Sequence, residues 1–506
     1  MAASAPNPTT VTINPINNAP SLSSVASSVT LTQFQSVTLS PALVVSDPDS
    51  LTLTGATVKI TAGTFPGDGD ILSASSVGTN ISVSYNSSSE TLTLTGTDTL
   101  ADYQMVLDGV TMSSGSDPTH GGANRTRTVT WQVNDGSASN GLSAPVTTTV
   151  VILNAPPPAA TTADMILRDG SGNYEIYDIG ANSILAADSL GQVGTDWKFA
   201  GLGGFNGTDT TDMLLRSAST GGFEVYDISN NNITNAAFLG NVGLNWQVMG
   251  FGNFSSMPGE TDMILRNSST GGVEVYDISN NQITGAAFMG AVGLNWQFSG
   301  VGNFSGRGTS DMLLRDSNSG GLEVYDINNN QITGAAFIGA VGTNWQFSGV
   351  GNFSGVPGET DLLLRNNSTG GLELYDINNN QLTGAAFIGT VGLDWQFAGI
   401  APIHAPGASD LVLRNANTGQ FEVYDIANNQ LTGAASLGSV GLNWQLGGFA
   451  SDPPTASMGS SGSTSQLVQT MAGFGGGSGA ADASNTVPLG ADTSEQQPLL
   501  TAPQHA

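Results

Sequence analysis

The stretch DMLLRDSNSGGLEVYDINNNQITGAAFIGAVGTNWQFSGVGNF, residues 311–353, decides the fold, because the chain writes it six times with small changes. Its opening Asp recurs at Asp164, Asp212, Asp262, Asp311, Asp361 and Asp410, at spacings of 48, 50, 49, 50 and 49 residues. A near-constant period of this length marks a repeat architecture in which each unit buries its faces against its neighbours. Apolar runs at Met312–Arg315, Leu322–Ile327, Ile332–Ile338 and Trp345–Phe353 are separated by SNSGG, NNNQ and GAVGTN. Gly and Asn supply the backbone conformations that tight turns need. Four short strands per repeat is the content of one propeller blade.

The period therefore predicts a six-bladed β-propeller over residues 164–449. Asp164 opens the first unit and Trp444–Phe449 supplies the last strand of the sixth, so the ring is expected to close without borrowing a strand. Upstream, SVTLTQFQSVTLS, GATVKITAG, ISVSYNSSSETLTLTG and RTVTWQVNDG alternate apolar and polar residues between polar turn clusters. That pattern predicts an antiparallel β-sandwich over residues 21–154. APPPAATTA, residues 155–163, reads as a stiff linker. TVTINPINNAP at 10–20 echoes TTTVVILNAPPP at 147–158, so residues 1–20 read as the remnant strand and linker of a preceding domain. The chain is thus expected to be the end of a longer tandem array. Residues 450–506 are a low-complexity tail rich in Ser, Gly, Ala and Thr, without Lys or Arg. The expected fold class is all-β throughout.

The 506 residues carry 11 Lys and Arg against 40 Asp and Glu, a formal charge of -29. Such a polyanion repels phosphates, so nucleic acid is excluded as a partner. There are no cysteines, which removes disulfides, thiolate metal sites and cysteine catalysis. No apolar run reaches about 18 residues, so membrane insertion by a helix is not expected. MAASAPNPTT has neither the basic region nor the apolar core of a secretory signal peptide.

Each repeat also carries one Trp (Trp197, Trp246, Trp296, Trp345, Trp395, Trp444) and one Arg (Arg168, Arg216, Arg266, Arg315, Arg365, Arg414). Its second strand holds a Glu and, three residues on, an Asp, as in Glu323 and Asp326. Each Arg is expected to pair with an acidic partner in its own or the next blade, since a bidentate Arg–carboxylate pair buried between blades is served better by Arg than by Lys. The Trp residues are expected to wedge between blades. The opposing reading has six Arg and Trp sites facing a ligand. The three histidines, His120, His404 and His505, sit beside no nucleophile or metal cluster in sequence, and the Gly-rich stretches follow no phosphate-binding pattern. The chain is accordingly expected not to be an enzyme.

The loops before the opening Asp read GGFNGTDTTD (203–212), GNFSSMPGETD (252–262), GNFSGRGTSD (302–311) and GNFSGVPGETD (351–361). They resemble the FG-GAP/VCBS repeat family, whose D-F-N-G-D-G-x-x-D loop coordinates Ca2+. Here Asn253, Asn303 and Asn352 occupy the first acidic position, and Arg307 or Val356 another, so the final Asp is read as a turn cap instead. In the first region NNAP, SDPDS (46–50), YNSSSETLTLTGTDTLADYQMVLDGVTM (85–112) and WQVNDG (131–136) resemble the cadherin-like domains of large bacterial adhesins. That resemblance implies a Ca2+ site at Asp47, Asp49 and Asp135, with Asn18 adding a carbonyl. The tail is similar in composition to the uncleaved signals of type I secreted bacterial proteins, with SQLVQTMAGF (465–474) as a short amphipathic helix. Together these imply a secreted or cell-surface adhesion protein with an extracellular protein or glycan ligand, handed to type I secretion machinery by its tail. The alternatives are a carbohydrate-binding propeller, with the Trp residues as sugar platforms, and a polysaccharide-active enzyme.

Overall fold

The computed structural model describes residues 16–115, 118–120, 122–207 and 211–452. The tail beyond Asp452, with its expected secretion signal, and most of the remnant segment lie outside the described residues. The chain divides into two compact units, Met1–Ala155 and Pro156–Ala506.

The first unit is all-β except for one helix. A six-stranded sheet runs, in order, Ser28–Thr32, Val146–Leu153, Thr126–Asn134, Thr52–Ala62, Thr91–Thr99 and Ser82–Asn86. In Thr126–Asn134 the residues Arg127, Val129, Trp131 and Val133 point into the core while the Thr residues between them stay partly exposed. A three-stranded sheet (Ser36–Thr38, Thr111–Ser113, Ile71–Ser73) and a two-stranded one (Ser21–Ser23, Val44–Ser46) complete the unit. One pairing, Val146–Leu153 with Ser28–Thr32, is parallel, which departs from the purely antiparallel expectation. The helix Leu100–Asp108 is a second departure, since its sequence lies inside a stretch read as strands. Its cause is local. Thr99 Oγ1 caps it by accepting from the Asp102 N–H, and Tyr103, Val106 and Leu107 share a buried face at helical spacing.

The described part of the second unit is six four-stranded antiparallel sheets, a β-propeller-like repeat. In five of them the strand order follows the chain. The fourth sheet, for instance, runs Trp296–Gly302, Asp311–Asp316, Gly321–Asn328 and Gln331–Ala340. The Trp strand of each repeat is therefore the first strand of the next sheet, not the last of its own. The first sheet is completed from the far end of the chain. Trp444–Ser451 pairs with Ala163–Asp169, beside Asn173–Gly180 and Ser183–Gln192. This corrects the expectation that the ring closes without borrowing a strand. Trp is followed within a few residues by the loop to the next Asp strand, so the chain passes from one sheet to the next before the Trp strand rather than after it.

The Trp strands contact one another in cyclic order, with Trp444–Ser451 touching both Trp395–Ala401 and Trp197–Gly203. Glycine permits this approach. A Cβ on Gly201 would lie 2.0 Å from the ring of Phe251 on the next Trp strand. Six apolar clusters fill the gaps between neighbouring sheets. One joins Phe223 and Val225 of the second sheet to Met263, Leu265 and Trp246 of the third. Another joins Val412 and Phe421 of the sixth to Met165 and Phe449 of the first. The Trp residues belong to these clusters, five half-buried and Trp246 buried.

Candidate functional site

Polar joints between the sheets set the geometry of the surface. Each hairpin from the second to the third strand of a repeat turns on two left-handed residues, the second always Asn, with φ between 57 and 59°. Asn tolerates this conformation at little cost. From there each Asn reaches back to the second-strand Asp of the preceding sheet. Asn281 donates to both oxygens of Asp227 at 2.7 and 2.8 Å, and Asn330 to both of Asp277 at the same distances. Asn380 meets Asp326 at 2.6 Å and Asn429 meets Asp376 at 2.8 and 2.9 Å. Asn231 meets Asp178, and Asn182 closes the cycle on Asp425, 243 residues away.

The Arg residues therefore do not pair with these acids, which corrects the expectation. Each guanidinium instead donates to backbone carbonyls just before or at the start of a Trp strand. Arg414 reaches Trp444 O at 2.7 Å and Gly441 O at 3.1 Å, and Arg315 reaches Gly342 O at 2.8 Å. Arg216 and Arg266 use the carbonyls of Trp246 and Trp296 in the same way. Arg216 and Arg414 also lie 5.2 Å over the rings of Phe223 and Phe421. Asn matches a buried carboxylate without adding charge, while Arg is needed to gather carbonyls in a strand-to-turn corner.

The opening Asp of each sheet from the second to the sixth caps the loop before it. Asp262 accepts from the N–H of Phe254 and of Ser255 at 2.6 Å, and Asp361 from Phe353 and Ser354 at 2.8 Å. Asp311 accepts from Ser305 and Asp212 from Asn206. Burial outweighs these bonds, pushing Asp262 up to about 7 and Asp311 and Asp361 up to about 6. In the sixth sheet the loop carries His404, whose Nδ1 lies 2.7 and 2.8 Å from the two oxygens of Asp410, with Asp425 at 4.0 Å.

A row of exposed aromatics is the most regular surface feature. Phe238, Phe288, Phe337 and Phe387 are 43, 56, 65 and 64% exposed. Each faces the second-strand Glu across the outermost strand pair of the second, third, fourth and fifth sheets. Ser189 and Ser436 stand at that register in the first and sixth sheets. Each ring lies on a bare glycine. A Cβ at Gly222 or Gly321 would come within 2.9 Å of Phe238 or Phe337. The glycine leaves room for the ring to lie across the strand and fixes its pose.

In the first unit the Ca2+ candidates fall into two pairs of contacts. Asp49 accepts from the backbone and side chain of Asn18 at 3.0 and 3.1 Å. Asp135 accepts from Asn17 Nδ2 at 2.8 Å and Ser137 N at 2.6 Å. Asp47 accepts the N–H groups of Asp49 and Ser50 through Oδ1, and its buried Oδ2 has no hydrogen-bond partner. Asp49 and Asp135 hold the Asn17–Asn18 segment between them, and the ligand atoms of Asp47, Asp49 and Asp135 do not converge within 4.8 Å. Among the described residues the ligand atoms of three His, Asp or Glu residues converge in only two places, His404 with Asp410 and Asp425, and Asp164 with Asp178 and Asp452. The first group corrects the expectation that no histidine sits beside a metal-ligating cluster, and the second group was not expected. Aligning the repeats on Trp exposes it, because Asp452 lies where Phe205, Phe254, Phe304, Phe353 and Ile403 stand in the other five.

No family model matches the chain, and no curated protein matches it. Among solved structures it is similar to a quinoprotein alcohol dehydrogenase-like protein from Bacteroides thetaiotaomicron, at 9% identity and a TM-score of 0.37, over 84% of this chain and 96% of that one. It is also similar to the dihydro-heme d1 dehydrogenase NirN, at 12% identity and a TM-score of 0.30, over 60% of this chain and 57% of that one. A post-proline cleaving enzyme from Rickettsia typhi matches at 10% identity and a TM-score of 0.29, over 60% of this chain and 48% of that one. The expectation that the chain is not an enzyme is withdrawn on this finding, since these three structures carry enzyme names. Such sheets host many chemistries through their loops, so the likeness assigns none of those activities to this chain.

Proposed function

We propose that this chain is a secreted or cell-surface adhesion protein whose second unit is a six-bladed propeller of the FG-GAP/VCBS type behind a cadherin-like sandwich. The cyclic contacts of the Trp strands and the cycle of Asn–Asp joints support the closed six-bladed reading. The observation that carries the binding role is the Phe row on four consecutive sheets. Aromatics held on a rigid sheet lose little entropy when a partner covers them, and exposed apolar rows of this kind mark interaction surfaces. The partner is an extracellular protein. The orphan Asp47 oxygen supports Ca2+ at the Asp47, Asp49 and Asp135 end of the first unit. Type I secretion through the tail completes the proposal.

The test replaces Phe288, Phe337 and Phe387 together by Ser, the residue at that register in the first and sixth sheets. Binding of the labelled chain to a panel of cell surfaces and matrix proteins should be lost with the melting temperature kept. Unchanged binding would overturn the proposal. The glycan reading has its own arm, because five of the six repeat Trp residues are only half-buried. Binding that free sugar competes away and that Trp345→Ala abolishes in a folded chain would favour it.

A further inference from the structure

The first sheet differs from the other five in its acids. Its opening Asp164 and second-strand Asp178 have counterparts in every sheet, but two further carboxylates join them. Asp452 takes the place of a wholly buried Phe or Ile in the other repeats. Asp188 takes the place of an Ala that recurs at Ala237, Ala287, Ala336, Ala386 and Ala435. Ligand oxygens of Asp164, Asp178 and Asp452 all lie within 4.8 Å of one another. Asp188 stands next to Asp178 on the neighbouring strand, since Asn231 Nδ2 is shared between Asp178 at 2.9 Å and Asp188 at 3.2 Å.

Among the described residues, no loop amide caps Asp164 as in the other sheets. Where Asp262 and Asp361 each accept two such amides, Asp164 accepts the Thr211 hydroxyl, at 3.1 Å. Asp164 and Asp178 are 3 and 0% exposed, and Oδ1 of each is buried with no hydrogen-bond partner. No Lys, Arg or His is ion-paired with Asp164, Asp178 or Asp452 among the described residues. Carboxylates gathered this closely repel one another and lose hydration, a cost that a cation removes. In keeping with this, burial and the neighbouring acids push Asp164 well above the ordinary carboxylate range and Asp178 up to about 6.

We propose that Asp164, Asp178 and Asp452, with Asp188 beside them, bind a divalent cation, Ca2+ in particular, at the seam where Trp444–Ser451 joins the first sheet. An all-oxygen set drawn from separate strands suits the variable coordination of Ca2+ better than the strict octahedron of Mg2+. The ion ties the C-terminal strand to the first repeat, so it acts as the clasp of the repeat unit. This inference does not rest on the adhesion reading and concerns a different site from Asp47, Asp49 and Asp135.

The experiment adds Ca2+ alone to the metal-stripped full chain at neutral pH, with titration calorimetry for binding and scanning calorimetry for stability. Ca2+ should bind and raise the melting temperature of the repeat unit. Asp452→Phe restores the residue of the other repeats. It should remove this binding component and leave a metal-free chain that melts higher than the metal-free native chain. Asp452→Asn, which keeps the shape, guards against a misfolded Phe variant and should weaken binding at least about tenfold. Asp49→Asn with Asp135→Asn should leave the component intact, which separates it from any Ca2+ in the first unit. No Ca2+ bound at millimolar concentration, or the same affinity and stoichiometry in both Asp452 variants, would overturn the proposal.

Discussion

The first sheet and the five that follow it solve the same problem with different materials. In the five, a strand and its loop arrive in chain order, the loop amides cap a buried Asp, and an apolar residue seals the inner corner. In the first, the inner strand comes from the other end of the chain and brings Asp452 instead of Phe. The seam where Trp444–Ser451 pairs with Ala163–Asp169 is where the repeat stops being periodic. The difference teaches that the letters shared by all six repeats build the sheets and their joints, while Asp188 and Asp452, two acids without counterparts in the other sheets, meet in the first sheet alone.

Cutting the seam is the largest perturbation. A chain ending at Asn443 loses Trp444–Ser451 and with it the inner strand of the first sheet. It should lose the cooperative melting transition of the repeat unit, whereas a chain ending at Asp452 should keep it. Retention of the transition in the shorter chain would show that five complete sheets stand without closure.

Breaking one regular joint comes next. Asn281→Ala deletes two hydrogen bonds to the buried Asp227 and leaves Ala at φ 57°. The loss should be about 3–4 kcal/mol, from a charge-assisted bond plus the strain of a left-handed Ala. Arg315→Ala, which strips the Gly342 carbonyl of its donor, should cost about 1.5–3 kcal/mol in the same denaturant titration. If both are neutral, the joints are not what holds neighbouring sheets together.

The capping acids sharpen the comparison through pH. Asp262 in the folded state titrates near 7 against 3.8 for the free group. The native state then binds the extra proton between those values, so stability falls as pH rises from about 4 to 7. The contribution is at most about 4 kcal/mol. Asp262→Asn should flatten the dependence of the melting temperature on pH across that window, and an unchanged slope would remove Asp262 as its source. At the small end, Arg307→Ala breaks an ion pair with Asp326 at 3.4 Å whose Arg side chain is 63% exposed. It should shift stability by less than about 1 kcal/mol.

Much of this was legible in the strings. The 49-residue beat and the four apolar runs located the strands of the repeat unit, because hydrophobic run length and Asn or Gly turns depend on local chemistry. Assigning the Trp strand to the next sheet was not legible, since a strand reads the same whichever partner it takes. The Arg prediction failed for a similar reason. Composition shows that a buried Arg needs acceptors, but not whether carboxylates or carbonyls stand in reach. The helix Leu100–Asp108 was masked by the strand pattern around it, although the Thr99 cap was in plain view.

The sequence by itself determined the period, the all-β character, the turn positions and the net negative charge, each a matter of residue type and short-range spacing. Only the tertiary structure decided that the hairpin Asn residues reach the preceding sheet, that Trp444–Ser451 completes the first sheet of the repeat unit, and that Asp164, Asp178 and Asp452 meet. At residues 181–182 the turn is Ala–Asn, and its reach depends on Asn182 alone. The pairing of Trp444–Ser451 with Ala163–Asp169 brings together residues as far apart in sequence as Asp164 and Asp452, 288 positions. No local preference encodes a contact over that separation. It follows from the pairing of Trp444–Ser451 with Ala163–Asp169 across the whole repeat unit.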